Sequence, residues 1–399
     1  MALLIEHASE ILTMKTGLNL LRNASLFVEN GTITHIGSVK HTKKRHTTID
    51  ARGCVVCPGF VDSHTHLVYG GSREEEFALR VTGVKYEKIA QSGGGIANTV
   101  KMTRQASETE LYDAGIQRLN RIAQHGTTTV EIKSGYGVSP QEEIKMLRVI
   151  HRLKRKSHLD VVPTFLVHTI PQHMNRNDYI DLVTKEMLPE VTRQKLAVFC
   201  DIFCDKIAFT RKESKTVLLK AKELGLGLKI HADQFANVGA AHLAAELKCI
   251  SAEHLEYTTK RAIKKMKKAG VIPTLLPGAT FFLQIKKKPN IRAYQETKTH
   301  VALASDYNPG SCMIYSMPKI ASLACILYGM QVEDVLLAAT KYGAKALDLY
   351  DRLGSIEEGK QADIVVFNVD HYKKIPYHFG EDVVKYTIKK GKVIYGKDS

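Results

Sequence analysis

His64-x-His66 is the first place in this chain where residue types and spacing could do chemistry. On a strand, residues i and i+2 project from one face, so two imidazoles can reach one ion. Alone, the pair is a weak signal. It gains weight from His231 and Asp306, which end two other apolar runs. The four together offer three neutral nitrogens and one carboxylate, a donor set suited to Zn2+ or Fe2+ with a position left open for water. Such an ion lowers the pKa of its bound water toward about 7, which makes hydroxide available near neutral pH. A neighbouring group must then accept and return protons, and Asp306 and His254 are the candidates. Arg73 stands seven residues after His66. Its guanidinium could take a carboxylate through two parallel bonds, or could instead pair with one of Glu74–Glu76. After Asp306, Tyr307-Asn308-Pro309-Gly310-Ser311 supplies amide and backbone donors for orienting a polar substrate.

The elements that must position these groups follow from hydrophobic periodicity. Between about residues 58 and 345 eight short apolar runs occur: VVCPGFVDSH, TTTVEIKSG, DVVPTFLVH, AVFCDIFC, LGLKIHAD, CISAEHL, VIPTLLPG and VALASD. Helical patterns separate many of them, at Glu108–His125, Pro140–Lys154, Arg211–Glu223 and Gly239–Leu247, while the segment between runs seven and eight is weakly patterned. Continuous apolar strands alternating with amphipathic helices predict a parallel sheet covered by helices, and eight of them predict a closed (β/α)8 barrel. A doubly wound open sheet is the competing architecture. In a barrel, catalytic groups come from the C-terminal ends of strands. Here those ends carry His64 and His66, Ser134-Gly135-Tyr136, His168, His231-Ala232-Asp233-Gln234, Glu253-His254 and Asp306. Chance would rarely aim so many of the 17 histidines at one mouth. Both termini read differently. LLIEHA, EILTMKT and ASLFVENGTITHIG, with an Asn30-Gly31 hairpin signal, match ADIVVFNVD, VVKYTIKKG and KVIYG, so one small β unit is expected from the two ends.

Composition narrows the function classes. The chain has 399 residues, 44% hydrophobic and 25% charged, which is ordinary globular material with room for a large core. No apolar run approaches the roughly 20 residues of a membrane span, and the N-terminus lacks the basic start of a secretory signal. Seven cysteines, an odd number scattered through apolar context, predict buried thiols and a reducing compartment, with the cytoplasm the expected location. Neither Cys54-x2-Cys57 nor Cys200-x3-Cys204 has a second pair at zinc-finger distance. The net charge of +16 could suggest nucleic acid, but the lysines, among them Lys43, Lys264, Lys265 and Lys286, are dispersed and carry no aromatic motif. A solvated surface and no nucleic-acid partner are expected. Gly93-Gly94-Gly95 lacks the Gly-Lys-Ser/Thr ending of a phosphate loop.

PGFVDSHTH near the start and GSIEEGKQADIVVFN near the end resemble the amidohydrolase superfamily. The stretches HLVYGGSREEEFALR, SGGGIANTV, GTTTVEIKSGYG, FCDIFC, KIHADQF, AAELKCISAEHLEY, LLPGATFFL and ALASDYNPGS are more specific, and they extend the resemblance over nearly the whole chain. The resemblance implies an α/β fold, a distorted (β/α)8 TIM barrel at residues 58–345 beside a small β-sandwich domain built from both termini, residues 1–57 and 346–399. It implies hydrolytic opening of a cyclic amide, 4-imidazolone-5-propanoate, to N-formimidoyl-L-glutamate in histidine degradation. The metal ligands carry over to His64, His66, His231 and Asp306, and the substrate contacts to Arg73, Tyr136, His168, Gln234, Asn308, Gly310 and Ser311. Catalysis would rest on Asp306, His254 and Gln234. At the last of these, relatives carry Glu or Gln, and an amide can orient a group but cannot act as a base. Binuclear relatives use a carboxylated lysine at the end of strand four, where Lys206 falls too late, so one ion, zinc or iron, is expected. A homodimer and a small anionic substrate complete the implication. Another cyclic amidase, a nucleobase aminohydrolase and a non-catalytic barrel scaffold are the alternatives.

Overall fold

The computed structural model describes residues 2–38, 45–84, 94–171 and 174–396; Lys43 of the basic turn and Gly93 of the glycine run lie outside them. The N-terminal strands are β1 (Ala2–Leu12), β2 (Leu20–Glu29), β3 (Thr32–Gly37), β4 (Thr47–Asp50) and β5 (Val55–Pro58). LLIEHA and EILTMKT do not form two strands. They make the single β1, irregular between Ile5 and Ala8, where His7 has φ 58°, so one extra residue bends the strand while its pairing with β2 continues. The Asn30-Gly31 hairpin forms as expected, with φ of 50° and 82° at its two turn residues.

The barrel strands follow: β6 (Phe60–Asp62), β7 (Thr127–Lys133), β8 (Asp160–Val167), β9 (Phe199–Cys204), β10 (Gly227–Ala232), β11 (Ser251–His254), β12 (Ile272–Leu275) and β13 (Ala302–Leu303). They pair in parallel and in chain order, β6 to β13. An open doubly wound sheet would reverse its order part-way; this one does not. Closure is made just beyond the strands, where Asp306 N–H donates to His64 O (3.0 Å) and His66 N–H donates to Tyr307 O (3.0 Å). Asp62 accepts from Ser305 N (2.9 Å) and Ser305 Oγ (2.5 Å) across the same seam. Helices Glu108–Gln124, Pro140–Lys156, Arg211–Glu223 and Ala240–Leu247 cover the barrel close to their expected positions. Reciprocal capping by Ser107 with Glu110 and Thr210 with Glu213 fixes two of the starts. The weakly patterned segment holds two short helices, Pro277–Phe282 and Ile291–Glu296.

The chain ends with β14 (Ile364–Phe367), β15 (Val384–Lys389) and β16 (Lys392–Gly396), which join the N-terminal strands in one sheet of order β16-β15-β14-β5-β1-β2-β3, with β4 also on β1. Ile5, Ile11, Leu26, Ile33, Val56, Ile364, Val366 and Ile388 pack in one buried cluster. Ile33 on β3 and Ile388 on β15 sit toward opposite ends of that order, so the sheet curls around its own core. Alternate residues of β5 and β14, namely Val55, Cys57, Val365 and Phe367, join the barrel's core instead. The run VVCPGFVDSH is therefore shared between two sheets, and Gly59 stands at the crossing because a Cβ there would lie 2.3 Å from Thr128 Oγ1. Asp160, opening β8, ties the units together through Lys389 (2.9 Å) and Lys390 (3.3 Å). All seven cysteines are free thiols, six of them buried. Among the described residues no helix is long and apolar enough to cross a membrane.

Candidate metal centre and active site

The C-terminal strand ends converge as the sequence leads one to expect. His64 and His66 follow β6, Tyr136 follows β7, His168 follows β8, His231 lies on β10, His254 ends β11 and Asp306 follows β13. Asp306 Oδ1 lies 3.4 Å from His64 Nε2 and 3.4 Å from His66 Nε2. Ring centroids are 4.5 Å apart for His64 and His231, 5.3 Å for His231 and His254, and 5.3 Å for His66 and His168. The donor atoms of His64, His66 and Asp306 lie within 4.8 Å of one another, as do those of His64, His231 and His254. His64 belongs to both trios and joins them.

Buried polar atoms normally find a partner. His64 Nδ1 and Nε2, His66 Nδ1, His168 Nδ1, His231 Nδ1 and Nε2, and His254 Nδ1 are buried without a hydrogen bond. Burial drives the pKa of His64 and His168 well down and that of His254 to about 3, so these rings are neutral and keep a lone pair. Unpartnered neutral imidazoles beside a carboxylate fit a divalent cation. The backbone is also held unusually here: Asp233, His254 and Asp306 have φ of 52°, 72° and 54°, left-handed values that non-glycine residues adopt at a cost.

Beneath the histidines lies a layer of buried ions that the sequence reading missed. Lys133 Nζ contacts Glu131 Oε1 (3.0 Å) and Asp201 Oδ2 (2.7 Å). Lys229 Nζ contacts Glu131 Oε2 (2.8 Å), Ser63 O (3.0 Å) and Glu253 Oε1 (3.5 Å). Burial works against the charge on Lys133, yet Asp201 and Glu131 outweigh it and hold the ammonium above its ordinary pKa. The available signal was a charge inside an apolar strand, two residues from another inward group: Glu131 and Lys133, Lys229 and His231.

Arg73 pairs with Glu76 after all, but only in part. Its Nε (2.9 Å) and Nη2 (2.6 Å) donate to Glu76 Oε2, and both side chains are about nine-tenths buried, at 10% exposed. The third nitrogen, Nη1, lies against Gly310. Glu76 also accepts from Gly95 N (3.0 Å), and although burial opposes its charge, Arg73 and these donors keep its carboxyl below the usual range. Tyr136 is buried beside His66 and His168, with centroids 5.9 and 5.5 Å away. Asn308 is spent within its own loop: its Oδ1 accepts from Gly310 N and Ser311 N (2.8 Å each), and its Nδ2 donates to Asp306 O (2.7 Å) and Ser311 Oγ (2.6 Å). Ser311 Oγ in turn donates to Asp306 Oδ2 (3.0 Å). This loop shapes the Asp306 carboxylate. Gln234 is buried two residues past β10, next to Phe235, whose N–H donates to Asp205 (2.9 Å). Lys206 is exposed.

A profile described as the amidohydrolase family matches residues 55–394. That match, with this barrel and this donor set, defines the class: the chain belongs to the amidohydrolase family and carries a divalent-metal site. Its curated relatives include the imidazolonepropionases of Clostridium tetani (41% identical, covering 99% of this chain and 98% of that protein) and Symbiobacterium thermophilum (43%, covering 98% and 97%). At this identity over almost the full length, the chain falls within the imidazolonepropionase family. Solved structures with the same fold include a triazine hydrolase from Arthrobacter aurescens (TM-score 0.78, 16% identical, covering 99% of this chain and 95% of that one). An adenosine deaminase from Xanthomonas campestris with bound zinc has a TM-score of 0.72 at 18% identity, covering 99% and 93%.

Proposed function

We propose that this chain hydrolyses the ring amide of 4-imidazolone-5-propanoate to N-formimidoyl-L-glutamate, a step of histidine degradation. We assign His64, His66, His231 and Asp306 as the ligands of one zinc or iron ion. The observation that carries the reading is the meeting of buried, unpartnered imidazoles with a half-engaged guanidinium at one barrel mouth. When bound, the ion supplies Lewis acidity toward a carbonyl oxygen and lowers the pKa of water. The chain's own residues do the rest. Arg73 holds the propionate through Nη1, and fixing that tail places the ring over the histidines. Tyr136 and His168 wall the ring pocket. Water adds across the ring C–N bond, its oxygen to the carbonyl carbon and a proton to the departing nitrogen. Asp306 accepts the proton from the attacking water and returns it to that nitrogen. His254, a neutral ring, donates N–H to the oxygen on which charge develops. Gln234 orients by hydrogen bonding, so the shuttle rests on Asp306 and His254. Buried free thiols fit a cytoplasmic enzyme, which we place there as a homodimer.

The test is turnover of imidazolone-propanoate by protein whose metal content is measured on the same sample. Chelated protein is expected to be inactive and to recover with about one equivalent of zinc or iron. Metal-replete protein that leaves this substrate intact while deaminating nucleobases overturns the assignment. The scaffold alternative predicts no metal, and a nucleic-acid binder predicts affinity that falls steeply with salt.

A further inference from the structure

We infer that Asp201 and Lys133 are positioning residues for His231: the carboxylate selects the form of the ring protonated at Nδ1, and the ammonium holds the carboxylate in place. The inference rests on the reading above, in which His231 offers Nε2 to the ion. Asp201 sits in mid-β9, beside β10, and meets His231 at two points. Its Oδ1 accepts the backbone N–H of His231 (3.1 Å), and its Oδ2 lies 2.9 Å from Nδ1, an ion-pair contact without the alignment of a hydrogen bond. That same Oδ2 receives Lys133 Nζ (2.7 Å). With both oxygens committed, the carboxylate cannot turn away. A neutral imidazole carries its proton on one nitrogen or the other, and the negative charge of a carboxylate this close to Nδ1 favours the proton there and a lone pair on Nε2. Lys133 is itself anchored by Glu131, which also binds Lys229; Lys229 Nζ donates to the carbonyl of Ser63, the residue before His64. One ionic network therefore sets the ring form at one proposed ligand and the backbone at another. Stability does not account for it. Buried ion pairs seldom outperform apolar packing of equal volume, and Glu131, Lys133, Asp201, Lys229 and Glu253 are all fully buried.

Two measurements on the intact protein test this. In metal-free protein labelled with 15N-histidine, long-range proton–nitrogen spectra report which ring nitrogen is protonated. The His231 signals, identified by their loss in His231→Gln, are expected to show a protonated Nδ1 and a bare Nε2; the opposite form overturns the proposal. Zinc affinity, from competition with a chelator, is then compared among wild type, Asp201→Asn and the charge-balanced pair Asp201→Asn with Lys133→Met. Both variants are expected to bind about 10- to 100-fold more weakly, with unchanged circular dichroism. Affinities within threefold of wild type overturn the proposal. Wild-type protein that binds no zinc or iron overturns the metal reading instead, while the ring-form result stands separately. Should a variant fail to fold, the spectra of the wild-type chain decide.

Discussion

Replacing Gly310 with alanine tests the substrate-binding geometry more sharply than deleting the arginine does. A Cβ on residue 310 would lie 2.2 Å from Arg73 Nη1, 3.1 Å from its Cζ and 3.3 Å from Asn308 Oδ1. Residue 310 lies outside the left-handed backbone region, so alanine itself is tolerated and the cost falls on the guanidinium. Because Nε and Nη2 are bound to Glu76, the group can retreat only toward that carboxylate, by about 1 Å, which carries Nη1 away from the loop. A charge-assisted hydrogen bond contributes about 1.5–3 kcal/mol, so kcat/KM for the carboxylate substrate should fall roughly 10- to 150-fold. Steady-state kinetics should be run on imidazolone-propanoate and on its neutral propanamide. Gly310→Ala and Arg73→Met should each depress turnover of the first and spare the second. In the Arg73→Met background Gly310→Ala should add almost nothing, because both remove one interaction. An unchanged kcat/KM for the acid, or an equal loss on the amide, refutes the placement of Arg73 at the substrate's tail.

Removing His254 should lower kcat by about 10²–10³-fold, whereas Gln234→Ala should cost less than about 10-fold; the reverse ranking would put the proton shuttle at Gln234. Chelation should lower the melting temperature and zinc should restore it, since an ion at 100 times its Kd adds about 2.7 kcal/mol; a His64→Ala protein that responds as strongly would exclude His64 as a ligand. For Asp160, burial favours the protonated form, but Lys389, Gln361 and Lys390 hold the carboxyl at about 2, below its ordinary 3.8. A depressed folded pKa contributes stability that is fully present above 3.8 and is lost as pH falls toward 2, about 2 kcal/mol in all. Urea unfolding of wild type and Asp160→Asn should therefore show a stability gap at pH 6 that narrows by pH 3, and a gap of constant size would rule the linkage out.

Much of the site was legible because its parts are local signals. Five of the eight strand ends announce themselves by an apolar run that stops at a histidine or aspartate, and barrel geometry alone directs those ends to one mouth. Helix Arg211–Glu223 was equally readable, since Thr210 and Glu213 mark its start within four residues. What stayed hidden depends on partners far along the chain. Asp201 reads as a stray charge in FCDIFC until Lys133, distant in sequence, is seen against it. The run VVCPGFVDSH gives no hint that it changes sheets at Gly59, or that a side chain at that crossing would collide with Thr128 of a neighbouring strand. The sequence offers Arg73 two kinds of partner, a carboxylate ligand and one of Glu74–Glu76, and the spacing could not reveal that three guanidinium nitrogens leave room for both.

Among the described residues β6 and β13 share no regular ladder, and the cylinder is shut by a few bonds involving Asp62, His64, His66, Ser305, Asp306 and Tyr307. Three of the four proposed ligands are thus also the teeth of its fastener. A cation gripping all of them would clasp the first and last staves of the cask, so that emptying the centre loosens the wall as well as stopping the reaction. Amide exchange at residues 66 and 306 should quicken first when the ion is withdrawn, and substitutions that retune the chemistry there would be screened at once by whether the cask still holds.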